Sequence, residues 1–207
     1  MPEAAVFEIC VGAVLTQNTS WKNVEKALAA LSRAELLSPQ KLSACRLLAL
    51  EKAIRPSGYF RQKALRLKEF CARALREHPE GFQNWFASAP AGELRAELLS
   101  YKGIGPETAD SIALYAGGKA GFVIDAYTRR IASRTGAGAD LSYDGWKTLF
   151  ERSLPPDVKM YNEYHALLVR LGKDFCSKSR PLCSSCPVER ICGKKIYEKN
   201  RRTSGQR

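Results

Sequence analysis

Apolar residues recur along the chain at the three- and four-residue spacing of amphipathic helices. Phe7, Cys10, Val11, Val14 and Leu15 share one face of an apolar run from Ala4 to Thr16, which predicts a buried helix. A second helix is expected from about Lys22 to Leu31. Short helices follow over residues 38–56, separated by Ser38-Pro39 and Arg55-Pro56. A long amphipathic helix carries Leu65, Leu67, Phe70, Cys71 and Leu75, and the cluster Phe82, Trp85 and Phe86 needs burial against it or its neighbours. Leu94, Leu98 and Leu99 form one helical pattern; Ala109, Ile112, Ala113 and Ala116 form the next; Gly117-Gly118-Lys119 closes it. Beyond the short apolar segment Phe122-Val123-Ile124, helices are predicted over Ala126–Arg134, Tyr143–Ser153 and Lys159–Gly172, the last two parted by Pro155-Pro156. The pattern is that of an all-α protein.

Between the fifth-last and fourth-last of these helical patterns the chemistry begins. Gly103-Ile104-Gly105 joins two helices by a tight turn in which the glycines permit positive φ. Pro106 suits the first helical position, where its φ is preset and no N–H is lost. Such a helix start presents unpaired N–H groups, a natural phosphate site, and Lys102 adds a positive charge beside it. By itself the Gly-x-Gly turn fits a plain helical corner equally well. Asp125 stands immediately before a helical run, in the position of an N-cap.

Composition sharpens the picture. The 207 residues suffice for one large or two small domains, and 45% hydrophobic residues provide for a core. The formal net charge of +12 and a pI near 9.5 point to a polyanionic partner. No apolar run approaches the ~18 residues of a membrane span, and the N-terminus, with Glu3 and Glu8 and no basic flank, does not read as a signal peptide. A cytosolic protein is therefore expected, whose seven cysteines are thiols or ligands rather than disulfides. Three of them, Cys10, Cys45 and Cys71, fall in apolar patterns. The other four form Cys176-x6-Cys183-x2-Cys186-x5-Cys192. Four soft thiolates suit Zn²⁺ or a [4Fe–4S] cluster alike. A zinc knuckle usually offers two Cys-x2-Cys pairs, whereas here there is one pair with long outer arms.

The segment Leu-x-x-Tyr-Lys-Gly-Ile-Gly-Pro-Glu-Thr-Ala (98–109), followed eighteen residues after Glu107 by Asp125, resembles the helix-hairpin-helix DNA glycosylases of the endonuclease III superfamily. The four-cysteine spacing is similar to that family's iron–sulfur loop, and Leu15-Thr-Gln-Asn resembles its Leu-x-x-Gln segment. The resemblance covers nearly the whole chain. It implies two helical lobes with a DNA-binding cleft: residues 1–120 as a six-helix-barrel-like lobe bearing the hairpin (about 94–116), and 121–207 as a helical lobe with a [4Fe–4S] loop on Cys176, Cys183, Cys186 and Cys192 and a basic tail. It also implies that Lys102, Gly103, Ile104 and Gly105 grip a phosphate, that Gln17 fills the gap left by a flipped base, and that Asp125 is catalytic. Gly58-Tyr59…Lys63-Ala64 resembles the family's wedge turn, with Tyr59 the wedge and Arg61 and Lys63 phosphate contacts. Trp21 would either stack in the base pocket or belong to the core. Arg129, Arg130 and Arg134 could add phosphate contacts, as could Lys173, Lys178, Arg180 and Arg190 in the cysteine loop. A histidine at 165 reads as packed or hydrogen-bonded rather than as a ligand.

Bifunctional relatives carry a lysine where this chain has Glu107, so the resemblance implies a monofunctional glycosylase that hydrolyses the N-glycosidic bond of a damaged base in double-stranded DNA. Lys-Gly-Ile-Gly-x-Glu-Thr-Ala-Asp (102–110) is similar to the 3-methyladenine glycosylase-like members, making an alkylated purine the first expected substrate. Uracil, mismatched thymine and oxidised bases stay open, as do a glycosylase with AP-lyase activity from Lys102 or Lys119 and a non-catalytic protein that binds damaged DNA. Two departures stand out. Relatives usually have a further helix upstream of the first one here, so it is missing or the start is truncated. The best-known 3-methyladenine member also lacks the four cysteines. A monomer, located with the nucleoid in a prokaryotic cytoplasm, completes the expectation.

Overall fold

Helix α1 (Glu3–Thr16) forms where the sequence is most continuously apolar. Val6, Phe7, Cys10, Val11, Val14 and Leu15 are all buried on it. The computed structural model describes residues 1–193; the tail lysines and arginines (Lys194, Lys195, Lys199, Arg201, Arg202 and Arg207) lie outside the described residues. Every regular element among the described residues is helical. The chain divides into two units, Met1–Ala120 and Gly121–Arg207.

In the first unit α1 is followed by α2 (Trp21–Arg33), α3 (Pro39–Ala44), α4 (Leu47–Ile54), α5 (Phe60–Glu77), α6 (Phe82–Ser88), α7 (Ala91–Ser100) and α8 (Pro106–Tyr115). Ser38 starts α3 by accepting a hydrogen bond from the Lys41 N–H, with Pro39 at its first turn. The core is one cluster drawn from all of these helices. Its aromatic centre is Phe82, whose ring lies edge-on to Phe7 (5.4 Å), Phe70 (5.5 Å) and Trp85 (5.7 Å). Burial of each such ring contributes about 1.5–3 kcal/mol. Phe82, Trp85 and Phe86 are thus core residues. Glu3 reaches across from α1 to accept hydrogen bonds from the Phe82 and Gln83 N–H groups, which caps α6.

Along α5 the buried positions are Lys63, Ala64, Leu67, Phe70, Cys71 and Ala74. This i, i+3, i+4, i+7 stripe leaves Leu65, expected on the apolar face, 53% exposed. Cys10 and Cys71 are buried, and burial pushes both thiols above their usual pKa range.

The second unit contains α9 (Ala126–Thr135), α10 (Tyr143–Ser153) and α11 (Val158–Asp174), then single 3₁₀ turns at Cys183–Ser185 and Glu189–Ile191. Ser142 caps α10 and Asp157 caps α11 through their side-chain oxygens. Phe122 anchors this unit's core, stacked on Phe150 (4.5 Å) and edge-on to Tyr161 (5.2 Å). Its N–H donates to Glu151 Oε1 (2.9 Å), and the Ile124 N–H donates to the Tyr143 hydroxyl (3.4 Å). These contacts hold the extended Phe122–Ile124 segment against α10 and fix the point from which α9 departs. Leu167 and Ile191 stand exposed along an open apolar groove lined also by Leu149, Phe150 and Tyr164.

Candidate functional site

The hairpin of the first unit runs from α7 through Tyr101–Gly105 into α8. Its turn is closed by the Ile104 N–H donating to the Tyr101 carbonyl (3.1 Å). Tyr101 is buried against Phe70 (5.1 Å), with the Arg73 guanidinium over its ring at 4.1 Å. Arg95 and the buried Asp110 form an ion pair at 2.9 Å that ties α7 to α8. Gly103 has φ +87°, and a Cβ there would lie 2.4 Å from Arg66 Cδ, so glycine is required on two counts. Gly105 differs from expectation. Its φ is −91° in extended backbone, and nothing of the first 4 Å around a Cβ is occupied. It serves as the N-cap of α8 and leaves the approach to the helix start open. Lys102 and Glu107 are exposed, and Ile104 is buried.

One loop lies against this turn. Gln17, at the end of α1, donates through Nε2 to the Gly103 carbonyl (2.9 Å) and to Thr108 Oγ1 (3.0 Å). Its Oε1 accepts from Arg66 Nη1 (3.3 Å). The side chain therefore braces the hairpin from behind, a contact that sequence alone did not reveal. Tyr59 is 71% exposed and has φ 45°, directly after Gly58 at φ 66°. Two successive positive φ values force a projecting aromatic out of the turn at the start of α5, a strained arrangement of the kind found at functional loops. Arg61 is exposed next to it. Trp21 is 49% exposed, so it is not a core residue; its ring edge packs over Gly12, where a Cβ would meet it at 3.7 Å.

Lys63 corrects the sequence reading. It is 2% exposed, and its ammonium donates to the carbonyls of Leu15 (2.9 Å) and Ser57 (2.7 Å). Its charge is used inside the protein and is not presented to a phosphate. It ties the segment leading to Gln17 to the turn leading to Tyr59. Burial, with the neighbouring Arg66 charge, lowers its pKa to about 8. Lys63→Met should cost on the order of 2–5 kcal/mol in denaturant unfolding, because two inward carbonyls lose their donor. Unfolded chains hold the lysine proton up to about pH 10.4. The native state gives it up near pH 8, so it binds fewer protons in between. Parent stability relative to Lys63→Met should therefore rise across that window.

In the second unit Asp125 is the N-cap of α9. Its Oδ1 accepts the Thr128 N–H at 2.7 Å. Its Oδ2 lies 3.7 Å from His165 Nε2 on α11, both side chains being nearly buried. Burial pushes the carboxyl upward, but His165 and the Thr128 N–H outweigh it and hold Asp125 below the usual aspartate range. It is ionised at neutral pH. His165 had no distinguishing signal in the sequence beyond its type.

Arg130 and Arg134, expected as phosphate contacts, are instead committed to the protein. Arg130 donates to the Gly172 and Cys176 carbonyls, and Arg134 to those of Ser177 and Lys178 and to Cys176 Sγ (3.2 Å). They fasten the cysteine loop to α9. Arg129, Lys173, Lys178, Arg180 and Arg190 remain exposed.

Cys176, Cys183, Cys186 and Cys192 line one cavity together with Ile131, Arg134, Leu171 and Phe175. Among the described residues, no three His, Cys, Asp or Glu side chains converge as the ligands of a single ion would.

Against known proteins, residues 11–156 match the HhH-GPD superfamily of base excision DNA repair proteins, and the chain belongs to that family. A protein of Methanocaldococcus jannaschii, provisionally named a DNA repair glycosylase, is 43% identical over 192 residues, covering 92% of this chain and 87% of its own. The structure of an endonuclease III bound non-covalently to DNA superposes with a TM-score of 0.79 at 24% identity, covering 94% of this chain and 86% of that one, and shows the shared fold. The H. pylori 3-methyladenine DNA glycosylase bound to 1,N6-ethenoadenine superposes with a TM-score of 0.66 at 29% identity, covering 97% of this chain and 87% of that one.

Proposed function

We propose that this protein is a monofunctional DNA glycosylase that extrudes a damaged base from a duplex and hydrolyses its N-glycosidic bond, with an alkylated purine such as 3-methyladenine as substrate. The observation that carries the reading is Asp125: a nearly buried carboxylate, ionised at neutral pH, capped on one oxygen and opposed by His165 on the other. A base inside a duplex is out of reach, so the nucleotide must first be flipped out. As the C1′–N bond breaks, its electron pair leaves with the base and positive charge develops on the sugar. The Asp125 carboxylate stabilises that charge; water then adds at C1′ and its proton is released to base or solvent. A cationic alkylated base is already a good leaving group, so no strong acid is needed at the base. The similarity to the H. pylori 3-methyladenine DNA glycosylase bound to 1,N6-ethenoadenine supports this substrate class.

The hairpin, with Lys102 and the open helix start at Gly105, serves as the phosphate grip, Tyr59 as the wedge and Gln17 as the residue beside the vacated position. The protein acts as a monomer in a prokaryotic cytoplasm. Cys176, Cys183, Cys186 and Cys192 line one cavity, and four thiolates there would suit a [4Fe–4S] cluster; the single Cys-x2-Cys pair with long outer arms favours it over a zinc knuckle. Held by these four cysteines, such a cluster would cross-link the loop.

AP-lyase chemistry needs an amine for a Schiff base. Glu107 cannot provide one, and Lys119 donates to the Ala87 carbonyl (3.1 Å). Duplexes carrying single lesions test the proposal. 3-Methyladenine should be released without strand cleavage, and borohydride should trap no covalent complex on abasic DNA. Glu107→Lys should gain a trappable complex at a low level. Strand cleavage and trapping by the parent protein would overturn the monofunctional assignment and point to Lys102.

A further inference from the structure

We propose that His165 is the positioning residue of Asp125, setting the direction in which its second carboxylate oxygen points. The proposal rests on Asp125 being the catalytic group. The Thr128 N–H holds Oδ1 at 2.7 Å. A carboxylate held by one oxygen can still rotate, and catalysis by charge requires that the charge be aimed before the reaction begins.

His165 supplies the missing constraint. It lies in the middle of the seventeen-residue α11, where the backbone is rigid, and its ring nitrogen faces Oδ2 at 3.7 Å. The distance is in the ion-pair range, longer than a direct hydrogen bond. At 12% and 13% side-chain exposure, solvent screens the pair little.

The register of α11 on α9 is itself locked. Gly172 makes room for the Tyr127 ring, since a Cβ there would lie 2.3 Å from Tyr127 Cδ1. Arg130 stacks on Tyr127 at 4.9 Å and donates to the Gly172 carbonyl at 3.1 Å. The helix carrying the imidazole is thereby held at a set place along the helix that carries the carboxylate. The depressed pKa of Asp125 agrees, since His165 is the foremost favourable contribution to its ionised form.

Two measurements on the full chain test this. The chain has two histidines, so the ring-proton NMR signals of His78 and His165 are assignable with a single variant. Asp125→Asn should shift the ring-proton signals of His165, whose ring faces the carboxylate at 3.7 Å. Those of His78, which pairs with Glu80 and Glu97, should stay where they are. In single-turnover assays on saturating lesion duplex, His165→Leu should slow base release about 10-fold. Duplex Kd and the denaturant midpoint should change little, and His165→Gln, whose amide nitrogen can take the place of Nε2 facing the carboxylate, should recover most of the rate. Unmoved His165 ring signals in Asp125→Asn overturn the proposal, and so does parental release by His165→Leu. If the parent releases no base from any duplex, the reaction assigned above is wrong, and the ring signals alone decide the contact. If His165→Leu fails to fold, the Gln variant and the ring signals decide it.

Discussion

Asp125→Asn should fold, bind lesion duplex with parental affinity and release base more slowly by a factor on the order of 10² or more. Asparagine is isosteric and is as good an N-cap as aspartate, so its Oδ1 can accept the Thr128 N–H as before. What disappears is the negative charge. The comparison is best made under single-turnover conditions, where duplex affinity and product release do not enter the rate. Base release by Asp125→Asn at the parental rate would remove Asp125 from the chemistry and would also remove the basis for His165.

The same substitution carries a stability signature with a definite sign. The folded-state pKa of Asp125 is depressed. Its contribution to stability is therefore fully present above the unfolded aspartate pKa, and is lost as pH falls through the lower folded value. Parent and Asp125→Asn should converge in unfolding free energy in strong acid and separate toward neutral pH. Unfolding curves collected across that range read this directly.

Much of the fold was legible because helices announce themselves by spacing. Tyr143–Ser153 is bounded by a capping serine and the Pro155-Pro156 pair, and the observed α10 has those limits. Phe7, Cys10, Val11, Val14 and Leu15 line the buried face of α1 as their spacing requires. What spacing does not encode is where a polar side chain ends once helices from distant parts of the sequence meet. Lys63 sits in a basic run and reads as a phosphate contact; only the convergence of the Leu15 and Ser57 carbonyls gives its ammonium an interior site. Arg130 and Arg134 look available for phosphate, yet the cysteine loop more than forty residues later brings carbonyls to them. The Asp125–His165 pair is likewise set by the packing of α9 on α11. Gly105 shows a local limit. A Gly-x-Gly turn can need positive φ at either glycine, and here Gly103 alone adopts it.

Loss of one cysteine should be the most destructive change outside the reaction itself. Purified without oxygen, the parent is expected to be yellow-brown, with broad absorption in the blue and iron in the protein. Cys183→Ser should be pale, iron-poor and lower in Tm by about 10 °C or more. The reason is structural. The loop from Cys176 to Cys192 has only single-turn 3₁₀ segments, and its apolar residues Leu182 and Ile191 are 56% and 80% exposed. With so little apolar burial, the loop should depend on the bonds its cysteines would make to a metal centre. Arg134 joins Cys176, Ser177 and Lys178 to α9, and Arg130 joins Cys176 to the same helix. Loosening the loop should therefore raise amide hydrogen exchange in α9, the helix that Asp125 caps, more than in α10. Colourless parent protein with one zinc ion per chain would replace the cluster by a zinc site. An iron-loaded Cys183→Ser with parental Tm would remove Cys183 from the ligand set.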